Sequence, residues 1–163
     1  MKQTYRILSF IFLLIILPLG LVYSQNGIPD NKGKEFWLMF NRNNDNIGVN
    51  LDLFISGDVP TTGKVNLPNN VVIDFSVTPG EITKVDLPVS LLASLDDEIS
   101  SKGIQVIAEN EITVYGLNQR SASTDAFLGL PVDILGNEYI IMSYTTWSSS
   151  VQLASVLGVV ATK

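Results

Sequence analysis

From Glu35 onward the chain places apolar residues at alternate positions for a few residues and then breaks on a turn, again and again. Val49-Asn50-Leu51-Asp52-Leu53 alternates, and the segment ends before Gly57-Asp58-Val59-Pro60. Lys64-Val65-Asn66-Leu67 alternates and stops at Pro68-Asn69-Asn70. Val71 to Val77 alternates through Ile73, Phe75 and Val77, and Pro79-Gly80 follows. Ile82 to Leu87 ends at Pro88. A period of two puts every second side chain on one face, which is the pattern of a half-buried strand. Pro, Gly and Asn pairs mark the breaks.

Further candidates complete the series. Glu35 to Phe40 opens it. Ile104 to Ala108 and Ile112 to Leu117 flank Glu109-Asn110-Glu111, whose spacing predicts a hairpin. Ala126 to Leu130, Tyr139 to Tyr144 and Val156 to Ala161 follow. The expectation is an all-β fold, an antiparallel β-sandwich-like module of about ten short strands with at most one short helix. The helix candidate is Ser90 to Ile99, where Leu91, Leu92 and Leu95 are followed by Asp96-Asp97-Glu98. Acidic residues at a helix C-terminus oppose its dipole, so one or two turns are expected there.

The N-terminus has a different character. Lys2 and Arg6 precede an uncharged apolar run from Ile7 to Val22, interrupted by Pro18 and Gly20. The run falls short of the roughly 20 residues a helix needs to span a bilayer. Small or aliphatic residues stand at Val22 and Ser24, three and one positions before a cut after Ser24. The pattern is that of a secretory signal peptide over residues 1–24. Residues 25–33 then read as a polar linker and 34–163 as the β domain. The expected location is secreted or cell-surface, with no membrane insertion after cleavage.

Composition narrows the chemistry. The chain has no cysteine and no histidine. Disulfides, thiolate nucleophiles, Cys/His zinc sites and imidazole acid/base catalysis therefore have no residues to use. A net charge of −6 gives no basic footprint for nucleic acid. No Gly-rich phosphate loop is present, and no cofactor is expected.

The remaining polar groups each have a structural reading. Asp96-Asp97-Glu98 lacks the alternating spacing of a calcium loop and reads as a solvated cap. Asp125 and Asp133 bracket Phe127-Leu128-Gly129-Leu130-Pro131 and read as hydrogen-bonding partners. Ser121, Ser123 and Ser148 to Ser150 have no base at an activating spacing. Asn41 to Asn46, with Asn43, Asn44 and Asp45, offers oxygen ligands for a cation or a sugar, although asparagine also suits plain turns. Trp37, inside an apolar segment, reads as core. Trp147, in a polar stretch, is the better surface aromatic. Asn43, Asn44, Asp45 and Trp147 are thus the candidate ligand-binding residues.

Three stretches together resemble a known family. They are Gly33-Lys34-Glu35-Phe36-Trp37-Leu38-Met39-Phe40, then Lys102 to Ala108 running into Ile112 to Asn118, and Thr124-Asp125-Ala126-Phe127-Leu128-Gly129-Leu130-Pro131-Val132-Asp133-Ile134-Leu135-Gly136-Asn137-Glu138-Tyr139. The pattern resembles the N-terminal domain family of IgGFc-binding proteins over nearly everything after Lys34. The resemblance implies an extracellular β-rich module within larger secreted or surface proteins, and it supplies no catalytic motif. Val159-Val160-Ala161-Thr162 resembles the opening of a second unit, so the chain is expected to be part of a longer product. The function expected is a non-catalytic binding or adhesion module for an extracellular protein or glycan. A structural spacer in a larger adhesin-like protein is the alternative, and a carbohydrate-active enzyme using Asp/Glu pairs is a weaker third. An exposed aromatic or apolar patch would mark the first, and two carboxylates across a cleft the last.

Overall fold

The computed structural model describes residues 30–43, 48–93, 99–121, 123–143 and 155–161. Residues 1–24, read above as a signal peptide, and Asp96-Asp97-Glu98, Asn44, Asp45, Trp147 and Ser148 to Ser150 lie outside them. Among the described residues the fold is all-β, and its regular ladders are antiparallel. The strands are β1 (Gly33–Leu38), β2 (Asn50–Ser56), β3 (Thr61–Leu67), β4 (Val71–Val77), β5 (Thr83–Leu87), β6 (Ile104–Arg120) and β7 (Ser123–Leu128).

One strand organises the rest. β6 runs for 17 residues and pairs with four others. Residues 104–108 lie between β1 and β3, while residues 113–120 lie between β2 and β7. β4 extends the first half beyond β3, and β5 extends the second beyond β2. The seven strands therefore do not divide into two separate sheets. They form one antiparallel sheet with β6 common to both halves, nearly closed like a barrel.

The hairpin expected at Glu109-Asn110-Glu111 is absent; these residues are the middle of β6. The reason lies in the partners. Lys34 of β1 stands alone opposite the four residues between Ile107 and Ile112, so β6 bulges there and changes partners without reversing. The Asn110 backbone N–H donates to Thr61 Oγ1 at 3.0 Å, and its side-chain amide donates to the Pro60 carbonyl. These bonds occupy polar groups that a turn would have turned to solvent. Alternation survives the bulge: Ile104, Val106, Ile112, Val114 and Gly116 all face inward.

The inner faces of the strands make one core. Phe36, Leu53, Ile55, Val65, Ile104, Val106, Ile112 and Val114 are completely buried. At roughly 25 cal/mol per Å² of apolar surface, burial of such side chains is the main stabilising contribution. Gly116 has a close-approach role: a Cβ there would run into the ring of Phe127 on the neighbouring strand. The ring instead lies over the glycine and meets Phe40 edge-on, with centroids 5.2 Å apart.

The turns follow the sequence signals. Thr78-Pro79-Gly80-Glu81 closes with Glu81 N–H to Thr78 O at 3.1 Å, and Gly80 takes φ 82°. That is a type II turn, with Pro and Gly where its geometry favours them. Asn69 and Asn70 both adopt left-handed φ between β3 and β4, a conformation asparagine tolerates better than most residues.

The one or two turns expected within Ser90 to Ile99 are, among the described residues, a 3-10 turn at Val89–Leu91 that buries Leu91. Other expectations need correction. Residues 139–143 and 155–161 carry no strand ladder, although their composition favours one. Side chains with high strand propensity make a strand only where an edge offers backbone partners, and none of the ladders reaches these residues. Trp37 is also not core. Phe36, Leu38 and Phe40 take the inward positions, which turns Glu35, Trp37 and Met39 outward.

Candidate functional site

The outer face of the β1-β6-β3-β4 half carries an ordered set of polar and aromatic side chains. Pairing registers place Trp37 beside Gln105, Gln105 beside Asn66, and Asn66 beside Val72. With strands about 4.8 Å apart, the three residues from Trp37 to Asn66 span about 10 Å. Glu35 lies two residues before Trp37 on the same face of β1.

Hydrogen bonds join these residues. Trp37 Nε1–H donates to Glu35 Oε1 at 2.9 Å. Gln105 Nε2 donates to the same oxygen at 2.8 Å. Asn66 Nδ2 donates to Gln105 Oε1 at 3.0 Å. The bonds fix the orientation of both amides, since each donor must face its acceptor. All four side chains are half-buried. Glu35 Oε2 and Asn66 Oδ1 make no hydrogen bond to another described residue and are not among the buried unbonded atoms, so the network leaves two acceptors accessible.

The face has defined margins. On the neighbouring row, Lys64 of β3 lies 4.0 Å from Asp74 of β4, both well exposed. At the Met39 end, the extended segment of residues 155–161 comes alongside. Gly158 packs so closely on Met39 Sδ that a Cβ would have no room, and Val160 Cγ1 would lie 3.5 Å from a Cβ on Gly103.

The outer face of the β5-β2-β6-β7 half is different. Asp52 is 3% exposed although it points away from the core. Lys84 Nζ lies 3.1 Å from Asp52 Oδ1 and 2.7 Å from Asp86 Oδ1. The lysine is held above its ordinary pKa by its hydrogen bonds to Asp86 and Asp52. Asp86 is held below the ordinary carboxylate value by the hydrogen bond from Lys84. Beside this trio, Phe54 pairs with Tyr115, and Tyr115 with Leu128. Tyr115 is 46% exposed and Leu128 38%. Lys84 bridges the two carboxylates, and the apolar row beside them is short.

A shallow depression of about 390 Å³ lies at the β6 bulge, lined by Lys34, Asp58, Val59, Asn110 and Glu111. Asp58 is already paired with Lys32. Among the described residues, no group of three His, Cys, Asp or Glu side chains could hold a metal ion. No helix among them is long and apolar enough to cross a membrane.

Of the residues singled out in the sequence, Asn43 is described and is 4% exposed. Its amide donates to Asn118 Oδ1 at 3.1 Å and to the Ser123 carbonyl at 3.3 Å. Asn118 in turn donates to the Asn41 carbonyl at 2.8 Å. These bonds fasten the segment after β1 to the β6–β7 hairpin. Asn44, Asp45 and Trp147 are among the residues not described. Asp125 is exposed on β7 opposite Asn118, and Asp133 is exposed in a 3-10 turn at Val132–Ile134.

Glu35, Gln105 and Asn66 carried no signal as single residues. Parity within β1 was a usable sign for two of the four: Phe36, Leu38 and Phe40 inward require Glu35 and Trp37 outward together. No protein-family model matches the chain, and neither a curated protein nor a solved structure does so.

Proposed function

We propose that this chain is an extracellular, non-catalytic binding module, and that it engages its partner through the outer face of the β1-β6-β3-β4 half. The observation that carries this reading is the Trp37–Glu35–Gln105–Asn66 network. It presents one large aromatic and three fixed polar groups on a rigid sheet, with acceptors left over. Preorganised side chains lose little conformational freedom on binding, so such a face favours recognition.

Several sequence features support the same reading. The N-terminal pattern fits export. The resemblance to the N-terminal domain family of IgGFc-binding proteins fits a β-rich module of secreted or surface proteins. The lack of histidine and cysteine removes the commonest activated groups from any catalytic alternative.

Attachment of the purified protein to surfaces coated with mucin and with extracellular-matrix extract tests the proposal. Trp37→Ala should lower attachment on the order of ten-fold, the loss of one central aromatic contact, with the melting temperature nearly unchanged. Attachment independent of Trp37 would overturn the assignment to this face. Turnover of a substrate, abolished by replacing one carboxylate, would overturn the non-catalytic reading.

A further inference from the structure

We infer that the Trp37 face recognises a neutral sugar, with pyranose rings laid across the row from Trp37 to Asn66. This inference rests on the binding role proposed for the face and adds the class of ligand.

The chemistry of the four side chains carries it. A pyranose has two unlike aspects: a face of weakly positive C–H groups and a rim of hydroxyls that both donate and accept. Trp37 offers the negative face of an aromatic quadrupole to the first. Glu35, Gln105 and Asn66 offer the second a carboxylate and two amides. Glu35 Oε2 accepts from a hydroxyl, while Asn66 presents both a carbonyl oxygen and a second N–H. Gln105 accepts from Asn66 and donates to Glu35, so these groups are aligned before a ligand arrives. The row of about 10 Å accommodates one or two rings.

Charge selects among sugars. Glu35 lies within the network, and Lys64 on the next row is accompanied by Asp74 at 4.0 Å. The whole chain carries a net charge of −6. A carboxylate or sulfate on the sugar would meet a carboxylate in the site, and like charges there weaken binding. The face therefore suits neutral hexoses and disfavours sialylated or sulfated ones. The segment at Gly158, packed on Met39, borders the face two residues along β1 from Trp37.

The test uses the full chain and named probes. Methyl pyranosides of glucose, galactose, mannose and N-acetylglucosamine are titrated by saturation-transfer NMR and by tryptophan fluorescence. Methyl sialoside and glucose 6-sulfate serve as anionic counterparts. Binding of at least one neutral pyranoside, at least five-fold tighter than the anionic probes (roughly 1 kcal/mol), is the expected result. Trp37→Ala should lower that affinity on the order of ten-fold. Trp37→Phe keeps one aromatic ring and loses the pyrrole ring with its N–H, so it should retain more affinity than the alanine variant. A thermal melt of each variant confirms folding. Mucin is assayed before and after enzymatic deglycosylation. If no pyranoside binds but mucin binding survives deglycosylation and still requires Trp37, the sugar assignment falls and the binding face stands. If a pyranoside binds with equal affinity to wild type and both variants, this site is wrong for the sugar. If no binding to mucin or matrix depends on Trp37, the face itself is wrong.

Discussion

The indole N–H of Trp37 donates to Glu35 Oε1 at 2.9 Å, within one strand and two residues apart. That bond requires both side chains on the outer face, and it gives the indole N–H of an outward tryptophan a fixed partner. The carboxylate oxygen it uses is shared with Gln105 of β6. Glu35 is therefore the group through which the aromatic of one strand and the amides of two others are held in one arrangement.

Removing that carboxylate should loosen the face without unfolding the protein. Glu35→Ala takes away the acceptor for both Trp37 and Gln105, each half-exposed and able to turn to water. The expected cost is about 1 kcal/mol or less by denaturant unfolding. The emission of Trp37 should shift as its N–H bond is lost. Attachment to the mucin surface should fall with it.

Phe127 and Gly116 make a packing pair that a double-mutant cycle will read. Gly116→Ala forces the Phe127 ring away and should cost about 1–3 kcal/mol by urea unfolding. In a Phe127→Ala background the three ring atoms nearest to that Cβ are gone, so its cost should shrink by more than half. Equal costs in the two backgrounds would show that the close approach is not what reserves position 116 for glycine.

Asn118 ties β6 to the segment after β1. Asn118→Ala removes the acceptor for the buried Asn43 amide and the donor to the Asn41 carbonyl. The Asn43 amide keeps the Ser123 carbonyl, so the expected cost is that of the two lost hydrogen bonds, about 1–2 kcal/mol. The loss of stability should be accompanied by faster amide hydrogen exchange in residues 41–43 and at the start of β7.

The Lys84 trio sets a pH dependence on both sides of neutrality. Asp86 is held below its ordinary value of 3.8, so its contribution is present above that value and is lost as pH falls through the lowered one. Lys84 is held above 10.5, so its contribution is present below that value and is lost as pH rises through the raised one. Thermal melts of wild type and Asp86→Asn should differ near neutral pH and converge at about pH 2. A difference that persists unchanged at acid pH would mean that the carboxylate's charge is not what stabilises.

Much of the strand pattern was readable in the sequence. Val71 to Val77 alternates and is β4 with those same limits, and Pro79-Gly80 forms the turn its residues imply. Glu109-Asn110-Glu111 misled because a short polar interruption between two apolar runs looks the same locally whether the chain reverses or changes partners. The outcome depends on Thr61 and Pro60, some 50 residues away. The binding face was less legible for the same reason. Gln105 and Asn66 become neighbours through the β3–β6 register, which no local pattern reveals. Trp37 could have been placed by counting parity from Phe36, whereas judging it by the apolar character of its neighbours put it in the core.

The most direct test of the account follows individual side chains during binding. Trp37 Nε1–H and the side-chain amides of Gln105 and Asn66 each give their own signals in a nitrogen–proton NMR spectrum, and Trp147 supplies a second indole signal for comparison. The uniformly labelled protein is titrated with glycopeptides released from mucin. The expected result is that the Trp37, Gln105 and Asn66 signals move together with one binding curve, while those of Trp147 and of the Phe54–Tyr115 face stay in place. Movement confined to Trp147, to Asn43 or to the backbone amides around Tyr115, with the Trp37 indole signal unchanged, would contradict it.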